Sequence, residues 1–487
     1  MGGNPFTAHG GGLCKISSRP GDVRFSLEIL ILIPARRVRR SDGSKNRIRI
    51  KIRTLPPPLL LSLRDIAPYF RRANAPRIAV QNLISTQPYR FVPPRANVFW
   101  WRIIVWWMQR QLRKSDGVTT WEFRGLDRLR ASLDAGSGVL LASNHSRPCD
   151  PSMMGLLSKE IGRPFHAMAS WHLFLQGRVQ RFLLQRVGAF SVYREGMDRE
   201  SLKCAIRILA ETQSPLVIFP EGIVTRNNDR LLDLMDGVSF IARSAAKQRA
   251  AAAKPSKVVV HPVFVRYFFE GDLTATISPV LEKTEARLSL QAQGRLPLRE
   301  RIIKTGHALL ALKETEYFGS LQSGRVRERL PRLLEQVLGP LEREWNTGRG
   351  DQDTMSRVKR LRTAILPDMV RGGLTEAEIA RRWRQFADLY FAQQLYCYSA
   401  EYLDGTPTPE RLLETVDRYE EDLTDKTTAH PPLHAVISVG EAIEAAPTRD
   451  RSAENDPLAD EVQRQLGILL EESKTCRRIP RPAGEIT

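Results

Sequence analysis

A histidine and an aspartate five positions apart have the equipment to take a proton from a hydroxyl group. His145 and Asp150 come directly after the apolar run 138–142. A carboxylate beside an imidazole fixes the ring tautomer and offsets the positive charge that the ring gains on accepting a proton. A second polar turn, Phe219-Pro220-Glu221-Gly222, follows another apolar run at 215–218. This spacing predicts two reactive loops at one edge of an α/β sheet, because such sheets build their sites where strands end.

Four blocks in order resemble the phospholipid/glycerol acyltransferase family, which moves fatty acyl groups from a thioester to a glycerol-type hydroxyl. The family's first block, His-x4-Asp, is met by His145 and Asp150. The other three are met, in chain order, by Gly188 to Arg194, by Phe219 to Gly222 with Thr225-Arg226 following, and by Val260 to Val265. The resemblance covers roughly residues 120–285, and the order of the blocks makes it specific although each block alone is weak.

The resemblance implies a mechanism and a set of site residues. His145 is implied as the general base and Asp150 as the group that orients it, with no covalent acyl–enzyme. Substrate contacts are implied for Arg194, Glu221, Gly222 and Arg226. No cofactor or metal is implied, and acyl-CoA or acyl-carrier protein would serve as co-substrate. Cys149, between the catalytic pair, is interpreted as a small loop filler rather than a nucleophile.

One departure from the family pattern concerns the third block. In the family an arginine that is thought to hold the acceptor's phosphate follows Glu-Gly-Thr directly. Here Ile223 and Val224 intervene, so the nearest candidate is Arg226, with Arg230 beyond it. Either the loop bulges to bring Arg226 round, or the enzyme recognises a different acceptor head group. Arg194 remains as a phosphate ligand, because guanidinium offers oxyanions a planar fork of donors.

Other kinds of site find little support in the pattern. The eight histidines and five cysteines are scattered, without Cys-x2-Cys spacing, and neither Gly-x-x-x-x-Gly-Lys nor Gly-x-Gly-x-x-Gly occurs. Widely spaced cysteines in odd number fit a reducing compartment. No Gly-x-Ser-x-Gly elbow accompanies His145, which argues against an α/β hydrolase.

The basic charge is concentrated near the start of the chain. The net charge is +20, and residues 1–95 hold 18 Lys/Arg against 4 Asp/Glu. We predict a disordered basic arm at 1–95 that meets anionic lipid; a targeting presequence and a start codon assigned too far upstream are the alternatives. The aromatic and glycine patterning of RNA-binding modules is absent, so no specific nucleic acid is expected.

A tryptophan-rich segment follows the arm. Four of the eight tryptophans fall within Trp100 to Trp107, and the cationic stretch Arg110 to Lys114 comes next. The eleven residues 98–108, which include Arg102, are too few for a bilayer core, which needs about 20. We predict an interfacial helix at 96–118 that lies on the cytoplasmic side of a membrane, as in a peripheral enzyme. The alternative is a helix buried against the catalytic domain.

The remainder predicts an α/β fold, with a central sheet flanked by helices at 119–284 and a mainly helical region or insertion at 285–432. Residues 433–487 are predicted as a strand–helix unit and tail. The run Ala275 to Ser278 is read as strand-like and echoes 435–438, a weak hint of duplication. The predicted strands are 138–142, 165–169, 188–193, 216–219 and 258–265, and the predicted helices of the catalytic domain are 200–211 and 231–246.

The favoured function is acyl transfer from acyl-CoA or acyl-carrier protein to the hydroxyl of glycerol-3-phosphate or a lysophospholipid. Three alternatives stay open: transfer to a non-phosphorylated lipid acceptor, thioester hydrolysis, and non-catalytic binding of lipid or nucleic acid on a degenerate fold. The expected partners are an anionic membrane surface, the acyl donor and a glycerol-type lipid acceptor.

Overall fold

An eight-stranded mixed sheet organises the catalytic half of the molecule. The computed structural model describes residues 84–253, 256–291, 293–348, 353–424, 427–448 and 456–476. Most of the predicted basic arm, residues 1–83, lies outside them. The strands are β1 (Val118–Arg124), β2 (Gly138–Ser143), β3 (His166–Ser170), β4 (Ala189–Val192), β5 (Leu216–Ile218), β6 (Val258–Phe269), β7 (Leu433–Val439) and β8 (Ile443–Glu444).

Helices cover both faces of this sheet and form a separate group after it. The helices are α1 (Val98–Ser115), α2 (Leu126–Asp134), α3 (Asp150–Ile161), α4 (Arg178–Arg186), α5 (Arg199–Glu211), α6 (Gly237–Ala250), α7 (Leu273–Arg287), α8 (Leu298–Phe318), α9 (Val326–Glu344), α10 (Thr354–Arg371), α11 (Glu376–Cys397), α12 (Pro409–Thr424) and α13 (Pro457–Lys474). The predicted α/β class with a helical C-terminal region is confirmed.

The strand order is β1-β7-β6-β2-β5-β3-β4, with β8 beside β6. The five strands from β6 to β4 run parallel to one another, and β7 runs antiparallel to β6. Parallel strands are covered on both faces and therefore read as continuous apolar runs; all twelve residues of β6 are buried. As a result the loops after β2, β5, β3 and β4 all emerge at one edge of the sheet, which we name the catalytic edge.

The strand that we predicted after the helical region is β7, and it lies between β1 and β6. Helices α8 to α12 therefore form between two strands of one sheet, as an excursion from it. Their own apolar core joins α9, α10 and α11, separately from the two cores on the faces of the sheet. We name α8 to α12 the helical region.

Two local predictions are wrong. Residues 231–236 are not helical, and α6 begins only at Gly237, because the Met235 N–H donates to the Pro220 carbonyl at 3.0 Å instead of to a helix carbonyl. Residues 275–278 lie in α7, not in a strand. There Asp272 caps the helix by accepting the Ala275 N–H at 2.9 Å. The echo thus pairs a helix with a strand, and it does not mark a duplication.

The tryptophan-rich helix α1 has two faces. Trp101 and Val105 are buried, and Trp101 Nε1 donates to Ser158 Oγ on α3 at 2.9 Å. Phe99, Ile103 and Trp106 lie on the other side with 66%, 42% and 58% of their surface exposed. Among the described residues, no helix combines the length and apolar character needed to cross a bilayer.

Candidate active site

The predicted histidine–aspartate pair forms at the catalytic edge. β2 ends at Ser143, and Asp150 is the first residue of α3. His145 Nδ1 lies 2.9 Å from Asp150 Oδ2, with the carboxylate fully buried and the imidazole 15% exposed. No described residue hydrogen-bonds to His145 Nε2. An imidazole held at Nδ1 by a carboxylate and open at Nε2 can accept a proton from a bound hydroxyl group.

Asp150 is held by two further donors. The Arg147 backbone N–H donates to Oδ2 at 2.8 Å, and the Tyr267 hydroxyl on β6 donates to Oδ1 at 2.5 Å. Burial, and then the charge of Asp150, raise the pKa of Tyr267 well above its ordinary value, so the phenol stays a donor. The sequence offered no local signal for Tyr267, because it lies 117 residues after Asp150 inside an apolar strand.

Two asparagines fasten the reactive loops to β6. The strand β6 continues past the end of β2, where Ser143 pairs with Val263. Beyond that point Asn144 takes the place of a strand residue: its Nδ2 donates to the Val265 carbonyl at 3.0 Å and its Oδ1 accepts the Val265 N–H at 2.7 Å. Asn228 bonds in the same two-way manner to Tyr267. Each side-chain amide thereby satisfies buried backbone groups that no strand reaches.

Glu221 holds the His145 loop from the neighbouring strand. Its carboxylate accepts the His145 N–H at 2.7 Å and the Leu232 N–H at 3.0 Å. Burial raises the pKa of Glu221 to about 7, although the two N–H donors oppose that rise. These contacts make Glu221 a positioning residue, and its direct contact with substrate stays a prediction. Gly222 has a φ of +72°, and a Cβ there would lie 2.8 Å from Met235 Sδ, so the turn requires glycine.

The same loop touches the imidazole and its backbone. The Phe219 ring stacks on the His145 ring with centroids 4.2 Å apart. The Thr225 N–H donates to the His145 carbonyl at 2.8 Å. Cys149, which precedes Asp150 in the chain, is buried, and burial raises the pKa of its thiol to about 12. Its Sγ lies 3.4 Å from the Tyr267 hydroxyl. A buried, protonated thiol fits the loop-filler interpretation.

The guanidinium of Arg226 already has a carboxylate partner within the protein. Its φ is +57°, and its guanidinium makes two bonds to Glu421 on α12, Nε to Oε2 at 2.9 Å and Nη2 to Oε1 at 2.6 Å. Both side chains are mostly buried, at 14% and 16% exposure. Phosphate binding by Arg226 stays a prediction, and it would require this ion pair to open. The nearby Arg230 reaches only the backbone carbonyls of Tyr396 and Tyr398, at 3.5 and 3.4 Å.

Side chains of helix α12 hydrogen-bond to the reactive loop that follows β5. Arg418, 4% exposed, donates to the carbonyls of Thr225 and Cys397 at 2.8 Å each. Glu414 accepts the Asn228 N–H at 3.1 Å. A cavity of about 920 Å³ opens on the other side of α12, between α8, α9 and α11, and Arg418 and Glu421 are among its lining residues. Sequence reasoning assigned no chemistry to this helix, because its partners Thr225 and Asn228 in the reactive loop lie more than 180 residues away in the chain.

Arg194 lies at the far end of the catalytic edge. It follows β4, and β4 is separated from β2 by β5 and β3. Three strand spacings place the ends of β2 and β4 about 14 Å apart at ~4.8 Å per strand. Burial lowers the pKa of Arg194. In the described part of the chain its guanidinium has no hydrogen-bond or ion-pair partner.

Within the described ranges no group of three or more His, Cys, Asp or Glu side chains is arranged to hold a metal ion.

Residues 121–266 match the family model described as Acyltransferase. No curated protein matches the chain. The matched segment runs from β1 through β6, and contains the His145–Asp150 pair, Arg194 and the Glu221 loop. The chain therefore carries, at residues 121–266, an acyltransferase domain of the phospholipid/glycerol acyltransferase family.

Proposed function

We propose that this protein transfers a fatty acyl group from acyl-CoA or acyl-carrier protein to the hydroxyl of glycerol-3-phosphate or a lysophospholipid. The observation that carries the proposal is the His145–Asp150 contact of 2.9 Å, with Nε2 open, inside an acyltransferase domain. Glu221, Thr225 and Phe219 hold His145 at its backbone and ring. A base fixed on so many sides is suited to proton transfer, because little freedom has to be lost when the acceptor binds.

The proposed step needs one base and no covalent enzyme intermediate. His145 Nε2 accepts the hydroxyl proton as the acceptor oxygen forms a bond to the thioester carbonyl carbon. Asp150 stabilises the imidazolium that results. The tetrahedral intermediate then collapses, the carbon–sulfur bond breaks, and the leaving thiolate takes the proton from His145. The products are the acyl ester and the free thiol.

The exposed face of α1 supports a membrane-surface location. Phe99, Ile103 and Trp106 present apolar surface outward, and Arg102 and Arg110 are exposed beside them. Tryptophan favours the head-group zone of a bilayer, and each nearby Arg adds about 1 kcal/mol of attraction to anionic lipid. We propose peripheral binding through this face at the cytoplasmic side of a membrane, where an insoluble acceptor or product is available.

The cavity beside α12 offers room for an acyl chain. Its volume of about 920 Å³ lies within the range of roughly 300–1,000 Å³ that ligand pockets occupy. Leu310, Leu330, Leu333 and Phe391 are among its apolar lining residues. This supports a long-chain substrate and leaves the donor open between acyl-CoA and acyl-carrier protein.

A second candidate is transfer to a lipid acceptor without phosphate. The occupied state of Arg226 favours it, because the Glu421 carboxylate already uses the fork of donors that an acceptor phosphate would need. Arg194 favours the phosphorylated acceptor. The two candidates therefore differ in which arginine the acceptor meets.

The test is acyl transfer by purified full-length protein from radiolabelled acyl-CoA, repeated with acyl-carrier protein as donor. The acceptors are glycerol-3-phosphate, lysophosphatidic acid, monoacylglycerol and water alone. His145→Ala is compared with Lys203→Ala, a control on α5 whose side chain is 73% exposed and outside the cavity. We expect ester product from wild type and from Lys203→Ala, and none above background from folded His145→Ala.

Each of the other outcomes would support a different function or remove the proposed base. Product on monoacylglycerol alone supports the second candidate. Release of free fatty acid without any ester product identifies a thioester hydrolase. Undiminished transfer by His145→Ala would overturn the proposed base, and no turnover by wild type with either donor would favour a binding protein.

A further inference from the structure

A second arginine lies near Arg194, and it comes from the helical region. Arg362 on α10 is 8% exposed, and its Nη2 donates to Gln393 Oε1 at 3.1 Å. Its buried Nε has no hydrogen-bond partner. A guanidinium that is taken out of water while a donor stays unsatisfied is costly, and it calls for an acceptor.

The residues next to the two arginines belong to one apolar cluster. Tyr193, which precedes Arg194, packs against the apolar core of the helical region, and Leu361, which precedes Arg362, is part of that core. Burial, and then the positive charge of Arg194, lower the pKa of Arg362 to about 10. The two guanidinium groups therefore feel each other's charge and still remain protonated near neutral pH.

The titratable surroundings do not neutralise this pair. Burial raises the pKa of Glu195, and the charges of Arg194 and then Arg362 only partly oppose that rise. Its carboxyl group forms no ion pair with either arginine at 4.0 Å or less. Tyr390 adds a phenol, which burial keeps protonated. Burial, and then the charge of Arg194, hold the pKa of His172 down to about 4, so this imidazole is uncharged. One carboxylate against two guanidinium groups leaves the cluster with net positive charge.

Three other buried arginines of the helical region are compensated by carboxylates. Arg301, Arg329 and Arg357 each make two bonds to one carboxylate, of Glu285, Glu314 and Glu342 respectively. A buried charge ordinarily needs such a partner. Against that pattern, two neighbouring guanidinium groups without a bound carboxylate form a prepared site for an oxyanion.

We propose that Arg194 and Arg362 together bind the phosphate of the acyl acceptor, so that the helical region supplies half of the acceptor site. This rests on the proposed acyl transfer. The site lies on the catalytic edge, about 14 Å from the end of β2 at ~4.8 Å per strand, a gap that the side chains of His145 and Arg194 and the acceptor itself would span together. Arg226, held by Glu421, takes no part.

The experiment compares Arg362→Gln and Arg362→Lys with Arg371→Gln, a control on the same helix whose side chain is 76% exposed. KM and kcat are measured for lysophosphatidic acid, for monoacylglycerol and for the acyl donor. Thermal unfolding with and without inorganic phosphate is measured on the same proteins. Losing a charge-assisted bidentate contact should raise KM for lysophosphatidic acid about 10–100-fold, with kcat changed little. Arg362→Lys should recover part of that loss.

The Arg371→Gln control should keep the wild-type KM for lysophosphatidic acid. In every variant the KM for monoacylglycerol and the KM for the acyl donor should be unchanged. Phosphate should stabilise wild type and the Arg371→Gln control, and not Arg362→Gln. An unchanged KM for lysophosphatidic acid in folded Arg362→Gln would overturn the proposal, and so would an equal rise for both acceptors. A rise confined to the donor would move the site to the donor's phosphates and also overturn it.

The readouts also separate this proposal from the proposed function. If wild type transfers acyl groups while phosphate stabilises all variants equally, the site fails and the reaction stands. If no transfer occurs while phosphate stabilises wild type and not Arg362→Gln, the anion site stands and the reaction fails. Should Arg362→Gln not fold, Arg362→Lys carries the same comparison.

Discussion

The helical region meets the catalytic edge in two places that differ in charge balance. At the Glu221 loop, α12 supplies Glu421 to Arg226 and Arg418 to the Thr225 carbonyl, so each guanidinium meets a carboxylate or a carbonyl oxygen. At the end of β4, α10 supplies Arg362 beside Arg194, which adds like charge. The first kind of contact fastens two parts of a protein together, whereas we propose that the second is completed by the phosphate of the acceptor.

The difference also accounts for the departure of the third sequence block from the family pattern. Two extra residues before Arg226 let the loop turn its guanidinium toward α12, with φ at +57°. The loop then gains an ion pair that would have to open before Arg226 could bind an acceptor phosphate. Variants of the α12 contact, of Glu221 and of Tyr267 test this account, from the largest expected effect to the smallest.

Replacing Arg418 with methionine should have the largest effect on stability. The substitution keeps bulk but leaves the Thr225 carbonyl and the Asn227 side-chain oxygen without their donor, at roughly 1–3 kcal/mol for each buried group. We expect the free energy of unfolding, measured by urea denaturation, to fall by about 3 kcal/mol or more. Arg464→Met is the control, since Arg464 is 59% exposed. A loss below about 1 kcal/mol would show that α12 does not hold the loop.

Replacing Glu221 with glutamine should change how stability depends on pH. The pKa of Glu221 is raised from its ordinary value of 4.5 to about 7, so the folded state binds a proton more tightly than the unfolded state. Its contribution is therefore fully present below about pH 4.5 and is lost as pH rises toward 7, a fall of about 3 kcal/mol.

Glu221→Gln should remove that component. The pKa of Glu414 is also raised to about 7, so its contribution to the pH dependence of the free energy of unfolding should remain in this variant. The check is urea denaturation at several pH values between 4 and 8. The same slope in Glu221→Gln as in wild type would contradict the assignment.

The Arg226–Glu421 pair should show coupling in a double-mutant cycle. Because the pair is mostly buried and doubly bonded, Arg226→Met and Glu421→Met should each destabilise, and the double variant should cost less than their sum by about 1–3 kcal/mol. Additive losses in the cycle would mean that the ion pair is not what closes this contact.

Replacing Tyr267 with phenylalanine should have the smallest effect. It removes one donor to Asp150 and leaves the backbone donor of Arg147 and His145 in place. We expect kcat for acyl transfer to fall about fivefold, the equivalent of about 1 kcal/mol. An unchanged kcat would show that the phenol does not help to orient the carboxylate.

Features formed by residues close together in the chain could be predicted from the sequence, and contacts between distant residues could not. Strands β2 to β7 were visible because each is a short apolar run, whereas β1 and β8 were not predicted. His145 and Asp150 were visible because the pair closes within one loop. The start of α6 was misplaced because the Pro220 carbonyl accepts the Met235 N–H. Tyr267, Glu421 and Arg362 were missed because each reaches the site from more than 100 residues away, as a property of the fold and not of any local pattern.

The most direct test of the account's central claim, that Asp150 orients His145 for general-base acyl transfer, is single-turnover transfer by Asp150→Asn. Asparagine keeps the size of the side chain but not the charge that stabilises the imidazolium. With the variant shown by circular dichroism to be folded, we expect the rate of acyl transfer to fall about 10³–10⁴-fold with the KM for acceptor little changed. A rate within a few fold of wild type would contradict the claim.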